Sequence, residues 1–428
     1  MITKCRIAIV GGGLAGTATA NALKTFGVDA ELFEAAPALG EIGAAVSCSP
    51  QAVKALWGLG ARERVDAAGH RSPGEYTRNM QTGEFLEFRD RFKLAEKWGA
   101  PYYSFHRADL LDALASTLLS AHIHLGHRLV QATQRADDVK LVFDNGRTVH
   151  AQYVIGADGV KSVLRQVLYG DDNPSYTGQA AWRSLLDARD VPEWILEPTG
   201  QTEWVSPGAH VRAYYIRQKK LVNIVTQQDT GEWVEESWNK RGDPQEMRAS
   251  FANPEPRLKA LLDLVTDCMK WGLFARPIND NWGNGRIQLI GDAAHAMVPN
   301  AGQGACQAFE DAYVLGRWLS SGLEPQEAFE NFRRVRIPRV HGVQRLALAN
   351  LKFKHMKDLD AQKAALAAGT GSMHGKNDWL YGFDPVAQWN QMPVVAEQYA
   401  DPVVGPAGST TTNTTTRPAT TTSPAAAY

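Results

Sequence analysis

The chain of 428 residues is long enough for two or three domains, and its 44% hydrophobic residues can bury a sizeable core. Its 45 Lys and Arg residues almost balance 46 Asp and Glu residues, and the net charge of −1 gives no electrostatic case for binding nucleic acid or an acidic membrane. The four cysteines lack C-x-x-C spacing and no apolar run of about eighteen residues occurs, so we expect no metal site, no disulfide framework, no membrane span and a cytoplasmic location.

The first forty residues carry the pattern of a strand, a glycine-rich turn and a helix. In such a unit Gly11 allows a sharp turn, Gly13 lets backbone N–H groups approach a pyrophosphate, and Gly16 lets the helix pack closely on the strand. A second apolar strand ends at Glu34, where an acid can accept the hydroxyl groups of a ribose. The alternative, a secretory signal over residues 1–20, needs no second strand that ends in an acid. The pattern therefore predicts a dinucleotide site.

The remaining chain alternates between helical and strand patterns, which predicts an α/β protein. Short alternating runs in 73–101 and 176–276 are typical of strands outside the nucleotide-binding unit. We expect a nucleotide-binding domain from 1–72, 102–175 and 277–325, a substrate domain from 73–101 and 176–276, a helical region over 326–400 and a disordered tail over 401–428.

Two more predicted strands end in glycine and aspartate. One ends at Gly156-Ala157-Asp158 and the other at Gly291-Asp292, so three strand ends are expected to meet at one nucleotide. For either aspartate alone, capping of the next helix is an equally good interpretation, but the pair favours contact with a cofactor. Arg107, at the start of a predicted helix, is either a solvated surface charge or a group that reaches a cofactor phosphate or ring edge.

Together these three segments resemble the para-hydroxybenzoate hydroxylase-like family of FAD-dependent aromatic hydroxylases, and most of all its salicylate hydroxylase branch, over roughly residues 5–390. The resemblance implies a Rossmann-type, glutathione-reductase-like FAD-binding domain with an inserted β-sheet substrate domain and C-terminal helices. The residues then expected to bind FAD are Gly11, Gly13, Leu14, Ala15, Gly16, Glu34, Arg107, Asp158, Arg165, Asp292, Pro299, Gly302 and Gly304.

The resemblance also implies a reaction. NADH or NADPH serves as a transient reductant, O₂ is the co-substrate, and a flavin C4a-hydroperoxide hydroxylates a small aromatic acid. Only one dinucleotide fingerprint occurs in the chain, so the nicotinamide cofactor has no fold of its own.

The resemblance places two residues of one predicted strand, His210 and Tyr214, at the substrate ring. Four residues apart on a strand, their side chains lie on one face, with Arg212 between them. His210 would take the phenolic proton and Tyr214 would hold a carboxylate or an oxyanion. The alternative is a hydrogen-bonded histidine and a core aromatic residue without a role in catalysis.

Asn300 stands after Pro299, where salicylate hydroxylases tend to have His, and this difference leaves the exact substrate open. Cys306 stands where many members have Asn, and this difference does not affect the prediction that FAD binds.

A salicylate-like or hydroxybenzoate-like acid is the first interpretation of the substrate, and a hydroxypyridine carboxylate such as 6-hydroxynicotinate is the second. A flavin halogenase, although the usual W-x-W-x-I-P is not found, and a flavin-binding protein without catalysis are the competing classes. We expect a monomer or a homodimer.

Overall fold

The computed structural model describes residues 3–40, 45–170, 172–231, 240–367 and 377–396. The strands are β1 Lys4–Val10, β2 Glu31–Phe33, β3 Ala45–Cys48, β4 Gly74–Asn79, β5 Phe85–Asp90, β6 Tyr103–His106, β7 Ile123–His124, β8 Leu129–Gln134, β9 Val139–Phe143, β10 Thr148–Gly156, β11 Ser175–Asp187, β12 Gln201–Ser206, β13 Ala209–Ile216, β14 Leu221–Asp229, β15 Lys240–Gly242, β16 Cys268–Ala275, β17 Gly283–Asn284 and β18 Ile287–Leu289. The helices are α1 Leu14–Thr25, α2 Pro50–Leu56, α3 Arg62–Ala68, α4 Arg91–Trp98, α5 Arg107–Ala115, α6 Val163–Tyr169, α7 Pro244–Ala249, α8 Pro256–Asp263, α9 Asp292–His295, α10 Gly304–Leu319, α11 Pro325–Lys354, α12 Leu359–Ala367 and α13 Asp378–Tyr381.

The first sheet is built on parallel strands in the order β18-β10-β1-β2-β7. The residues of β1 from Ile7 to Val10 are all buried, as expected for a central parallel strand covered on both faces. The antiparallel strands β8, β9 and β17 extend this sheet. The C-terminal ends of β1, β10 and β18 therefore lie side by side, as the sequence predicted.

The second sheet has the order β15-β16-β11-β14-β13-β12-β4-β5 and is antiparallel except where β12 runs parallel to β4. Its strands come from residues 74–90 and 175–275, so the two segments with alternating patterns join in one sheet. The exact limits of the domains stay a prediction, and the expected tail over 401–428 lies outside the described residues.

Buried ion pairs join α10 to α11. Arg336 and Arg339 of α11 are fully buried and pair with Glu310 and Asp311 of α10 at 2.5–2.8 Å. Asp311 also accepts hydrogen bonds from the His295 ring at 2.7 Å and from a backbone N–H at the end of β18. This network fixes the segment after β18 against α10.

Among the helices in the described ranges, none combines the length and the apolar character that a membrane span requires. The same part of the chain contains no group of three His, Cys, Asp or Glu side chains arranged to bind a metal ion.

Candidate active site

A cavity of about 340 Å³ lies between the strand ends of the first sheet and the face of the second. A volume of this size is within the range of small-molecule sites. The predicted site residues that line it are Gly13, Leu14, Ala15, Arg107, His210, Tyr214, Asp292, Pro299, Asn300, Gly302 and Gly304. The cavity lining does not include the other five, which are Gly11, Gly16, Glu34, Asp158 and Arg165.

The N-terminus of α1 opens into the cavity without a cap. Its N-cap residue is Gly13, no side chain accepts from its first turn, and that turn has no acidic residue. The free N–H groups and the helix dipole therefore favour an anion. Gly11 has a φ of +105°, and a Cβ atom at Gly16 would collide with the Gly11 carbonyl. These two glycines set the close packing of turn and helix, while Gly13 faces the cavity.

Glu34 lies at the end of β2, beside the glycine turn. Its Oε2 accepts a hydrogen bond from the Gly12 N–H, and its Oε1 accepts from the Ala36 N–H at 2.7 Å. Each carboxylate oxygen can accept more than one hydrogen bond, so these contacts leave room for ribose hydroxyls.

Asp158 and Arg165 form hydrogen bonds with the segments that follow the ends of β10 and β18. Asp158 accepts hydrogen bonds from the Ser162 hydroxyl and the Leu164 N–H at the start of α6, which is the capping interpretation. Arg165 is buried, pairs with Asp172 and donates to backbone carbonyls of α9 at 3.1–3.3 Å. Asp158 thus fixes the start of α6, and Arg165 positions the segment that carries Asp292.

Arg107 begins α5 directly after β6 and is not a solvated surface charge. Burial lowers the pKa of its guanidinium, and the carboxylate of Asp292 partly offsets that effect. Both side chains line the cavity, as do Gly302 and Gly304 at the start of α10. They are suited to the polar part of a dinucleotide because a planar guanidinium can donate to phosphate or ring oxygens.

His210, Arg212 and Tyr214 of β13 all line the cavity, so they lie on one face of the strand, as its periodicity predicted. Burial, with the nearby Lys354, His355 and Arg212, holds the pKa of His210 well below its ordinary value of 6.5, so the imidazole is neutral at neutral pH. Burial raises the pKa of Tyr214, and its hydroxyl stays protonated.

Arg183, on β11, lines the same cavity and was not singled out by any sequence pattern. Its Nε is buried and has no hydrogen-bond partner among the described residues. Its guanidinium stacks 4.6 Å from the ring centroid of Trp271. Burial lowers its pKa to about 10, so the group remains a cation at neutral pH. An arginine in an ordinary strand pattern is usually solvated, which is why the sequence did not point to it.

Asn300 contributes a second polar atom without a partner. Its Nδ2 donates to Gln227 Oε1 at 3.1 Å, while its Oδ1 is buried without a hydrogen-bond partner in the described part of the chain. Among the described residues the cavity thus has a buried donor, Arg183 Nε, and a buried acceptor, Asn300 Oδ1, that lack partners, and buried groups of this kind are normally satisfied by a ligand or by water.

The family described as FAD binding domain matches residues 4–346, and the chain belongs to this family. The 3-amino-4-hydroxybenzoate 2-monooxygenase of Streptomyces cremeus is 37% identical over 357 residues, which are 82% of this chain and 88% of that protein. The 6-hydroxynicotinate 3-monooxygenase of Bordetella bronchiseptica is 31% identical over 397 residues, which are 90% and 97% of the two chains. A solved salicylate hydroxylase substrate complex has a TM-score of 0.78 and 27% identity, and covers 92% of this chain and 100% of that chain.

These relatives confirm the resemblance and the glutathione-reductase-like FAD fold. The chain is a single-component FAD-dependent aromatic monooxygenase with NAD(P)H as reductant and O₂ as co-substrate. The named relatives are hydroxylases, which favours hydroxylation over halogenation or binding alone. The uncapped start of α1 and the polar pair of Arg107 and Asp292 fit FAD.

Proposed function

We propose that this monooxygenase hydroxylates a small phenolic carboxylic acid whose carboxylate binds Arg183 and whose hydroxyl group faces His210. The observation that carries the proposal is the guanidinium of Arg183, which lies in the same cavity as His210 and Tyr214 and whose buried Nε has no hydrogen-bond partner among the described residues. FAD, when bound, uses electrons from NADH or NADPH to activate O₂ and supplies one oxygen atom to the ring.

The charges in the cavity support an anionic substrate. Arg212 pairs with Glu75 at 2.6 Å, and Lys354 pairs with Glu203 at 2.6 Å. Among the described residues, no carboxylate lies within ion-pair distance of Arg183. A buried charge is costly unless it is paired, so a substrate carboxylate supplies the missing partner.

The two ring-facing residues of β13 have complementary protonation states. Neutral His210 accepts a proton, and protonated Tyr214 donates a hydrogen bond. Removal of the phenolic proton by His210 makes the ring more nucleophilic, and Tyr214 orients the substrate through its hydroxyl group. The two Cα atoms are about 13 Å apart by strand geometry, which lets the side chains reach a single aromatic ring from both ends.

Among phenolic acids, an aminohydroxybenzoate or hydroxybenzoate is the first candidate. The 37% identical relative is named for 3-amino-4-hydroxybenzoate, and the unpaired Oδ1 of Asn300 is able to accept from an amino or hydroxyl group. A hydroxypyridine carboxylate is the second candidate, because the relative named for 6-hydroxynicotinate covers 90% of this chain.

A panel of acids tests this function in the purified FAD enzyme. NADH oxidation and O₂ uptake are measured with 3-amino-4-hydroxybenzoate, 4-hydroxybenzoate, salicylate and 6-hydroxynicotinate, and the product mass is determined. We expect slow oxidation without an acid and a severalfold rise with the right one, with a product heavier by one oxygen atom or, if the carboxylate is lost, a hydroxylated and decarboxylated product. Matched phenols without the carboxylate serve as the control. Equal rates with and without every acid would contradict the proposal.

We also propose a cytoplasmic location and a monomer or homodimer. All four cysteines are free thiols, which is usual in a reducing compartment.

A further inference from the structure

We propose that His355 and Asp229 form a hydrogen-bonded relay with His210, which sets the tautomer of His210 and carries the phenolic proton from the cavity to the surface. The relay rests on the proposed function, since it needs a phenolic substrate at His210. His355 and Asp229 act through His210 and are positioning residues.

Three ring and carboxylate groups form a continuous chain of contacts. His210 Nδ1 lies 2.9 Å from His355 Nε2, and His355 Nδ1 lies 2.7 Å from Asp229 Oδ1. The chain leads outward, because His210 is 3% exposed, the His355 side chain 5% and the Asp229 side chain 53%. The residues come from β13, the C-terminal end of α11 and the end of β14, so the packing of three elements brings them together.

The carboxylate fixes the direction of each hydrogen bond. Burial raises the pKa of Asp229, but hydrogen bonds from His355 and Gln179 outweigh that effect and the pKa is lowered overall, so the carboxylate is ionised and only accepts. His355 therefore donates from Nδ1, and its Nε2 is an acceptor. His210 must then donate from Nδ1, which leaves Nε2 as the lone-pair nitrogen. That nitrogen has no hydrogen bond among the described residues, and His210 lines the cavity.

The charges around the pair favour transfer away from the cavity. Lys354, Arg212 and His355 all disfavour a charged His210, and burial does so most strongly. His355 faces the Asp229 carboxylate, with the Gln179 amide 2.9 Å from its Nδ1, and Lys357 acts on the same carboxylate. A proton that leaves the cavity thus moves from His210, beside two cations, to His355, whose ring contacts a carboxylate.

The proton transfer balances with water as the final proton acceptor. The substrate O–H bond breaks and its proton binds His210 Nε2, while the proton on His210 Nδ1 passes to His355 Nε2. His355 is then an imidazolium, its Nδ1 proton passes along the hydrogen bond to Asp229 Oδ1, and the exposed carboxyl group of Asp229 releases the proton to water. The substrate remains as a phenolate, one proton enters the solvent, and no electrons move.

Proton release on substrate binding tests the relay without turnover. The FAD enzyme is mixed with 3-amino-4-hydroxybenzoate in weak buffer that contains a pH indicator, and no NADH is added. In His355→Phe and in His355→Gln we expect proton release to slow by about tenfold or more, the lower range of general acid–base effects, with FAD content and substrate affinity retained. Added imidazole should restore part of the rate in His355→Phe.

Asp229→Asn tests the tautomer. The amide of the Asn side chain can donate to His355 Nδ1, which reverses the hydrogen bonds of His355 to residue 229 and to His210. We therefore expect the same slow proton release in Asp229→Asn, and Asp229→Glu should restore the rate. Asp267→Asn, a change at an exposed carboxylate, is the matched control and should release protons like the unchanged enzyme.

An unchanged rate in His355→Phe would overturn the relay while leaving the proposed function intact. A His355→Phe enzyme that loses FAD or substrate binding and is not rescued by imidazole would point to a structural role and overturn the relay as well. If no acid of the panel stimulates NADH oxidation in the unchanged enzyme, the proposed function itself fails, and the relay fails with it.

Discussion

Single residues around the cavity differ mainly in how their charge is compensated. Arg212 and Lys354 have carboxylate partners, whereas Arg183 has only the face of Trp271 in the described part of the chain. A stacked ring stabilises a cation by about 0.5–2 kcal/mol, less than a bidentate carboxylate does. Without substrate, Arg183 is therefore the least compensated charge in the site, and a substrate anion gains most there.

Substitution of Arg183 should weaken substrate binding. We expect Arg183→Met to raise the Kd of 3-amino-4-hydroxybenzoate by about tenfold to a hundredfold, since a hydrogen bond to a charged group contributes about 1.5–3 kcal/mol. Arg183→Lys should fall between Arg183→Met and the unchanged enzyme, because it keeps the charge but not the planar fork. Flavin fluorescence measured against substrate concentration gives the Kd.

The matched control is Arg189→Met, at a side chain that is 88% exposed. Affinity for 2-aminophenol, which lacks the carboxylate, should change little in either variant. An equal loss of affinity for the acid and for the neutral phenol would show that Arg183 shapes the cavity rather than binds the carboxylate.

Secondary-structure elements are joined at the site by α10 and α11. Asp311 of α10 bonds to Arg336 of α11, to the His295 ring and to the Gly291 N–H. One carboxylate thus links the two helices to the strand end that carries Asp292. The pKa of Asp311 is lowered even though burial alone would raise it, because His295 and Arg336 stabilise the charged form.

Removal of Arg336 should destabilise the protein strongly. We expect Arg336→Met to lower the free energy of unfolding by about 3–5 kcal/mol, since it leaves buried carboxylates without their partner. Urea unfolding followed by circular dichroism measures the change. Arg334→Met, at an exposed position of the same helix, is the control and should stay within about 0.5 kcal/mol of the unchanged protein. A comparably small effect for Arg336→Met would contradict the role of this ion-pair network.

Helices and strands were predictable where the local sequence pattern determines them, and less predictable where tertiary contacts determine where they end. The predicted helix that starts at Arg107 is α5, which ends at Ala115, and Thr117 beyond its end bonds the Asn21 side chain of α1. The helix α4 was missed among alternating strands, although Asp90 caps its start and Gly99 ends it with a φ of +72°. The prediction of strands here was wrong because the alternating hydrophobic period was given more weight than the helix-capping residues, which the sequence shows.

At the scale of the whole molecule, the site is a junction of both sheets and α11. The sequence predicted the three strand ends, because parallel strands must align at one edge, and the resemblance supplied His210 and Tyr214. Neither the sequence nor the resemblance predicted that α11 brings His355 to His210. The two residues are 145 positions apart, and only tertiary packing joins them. The position of Arg183 in this cavity also depends on tertiary packing, and the sequence did not predict it.

Because both sheets line the cavity, FAD should stabilise both. A ligand that binds only the folded state at a hundred times its Kd adds about 2.7 kcal/mol to the free energy of unfolding. We expect FAD to raise the thermal midpoint of the apoprotein and to slow amide hydrogen exchange in β1 and in β13 alike, although only β1 belongs to the nucleotide-binding sheet.

In Gly13→Val, whose side chain fills the space before the start of α1, both effects of FAD should vanish. Gly231→Val, at an exposed position with open space around a Cβ atom, should respond to FAD as the unchanged protein does. Protection limited to β1 would mean that the second sheet does not close over the cofactor, and a normal FAD response in Gly13→Val would remove this turn from the FAD site.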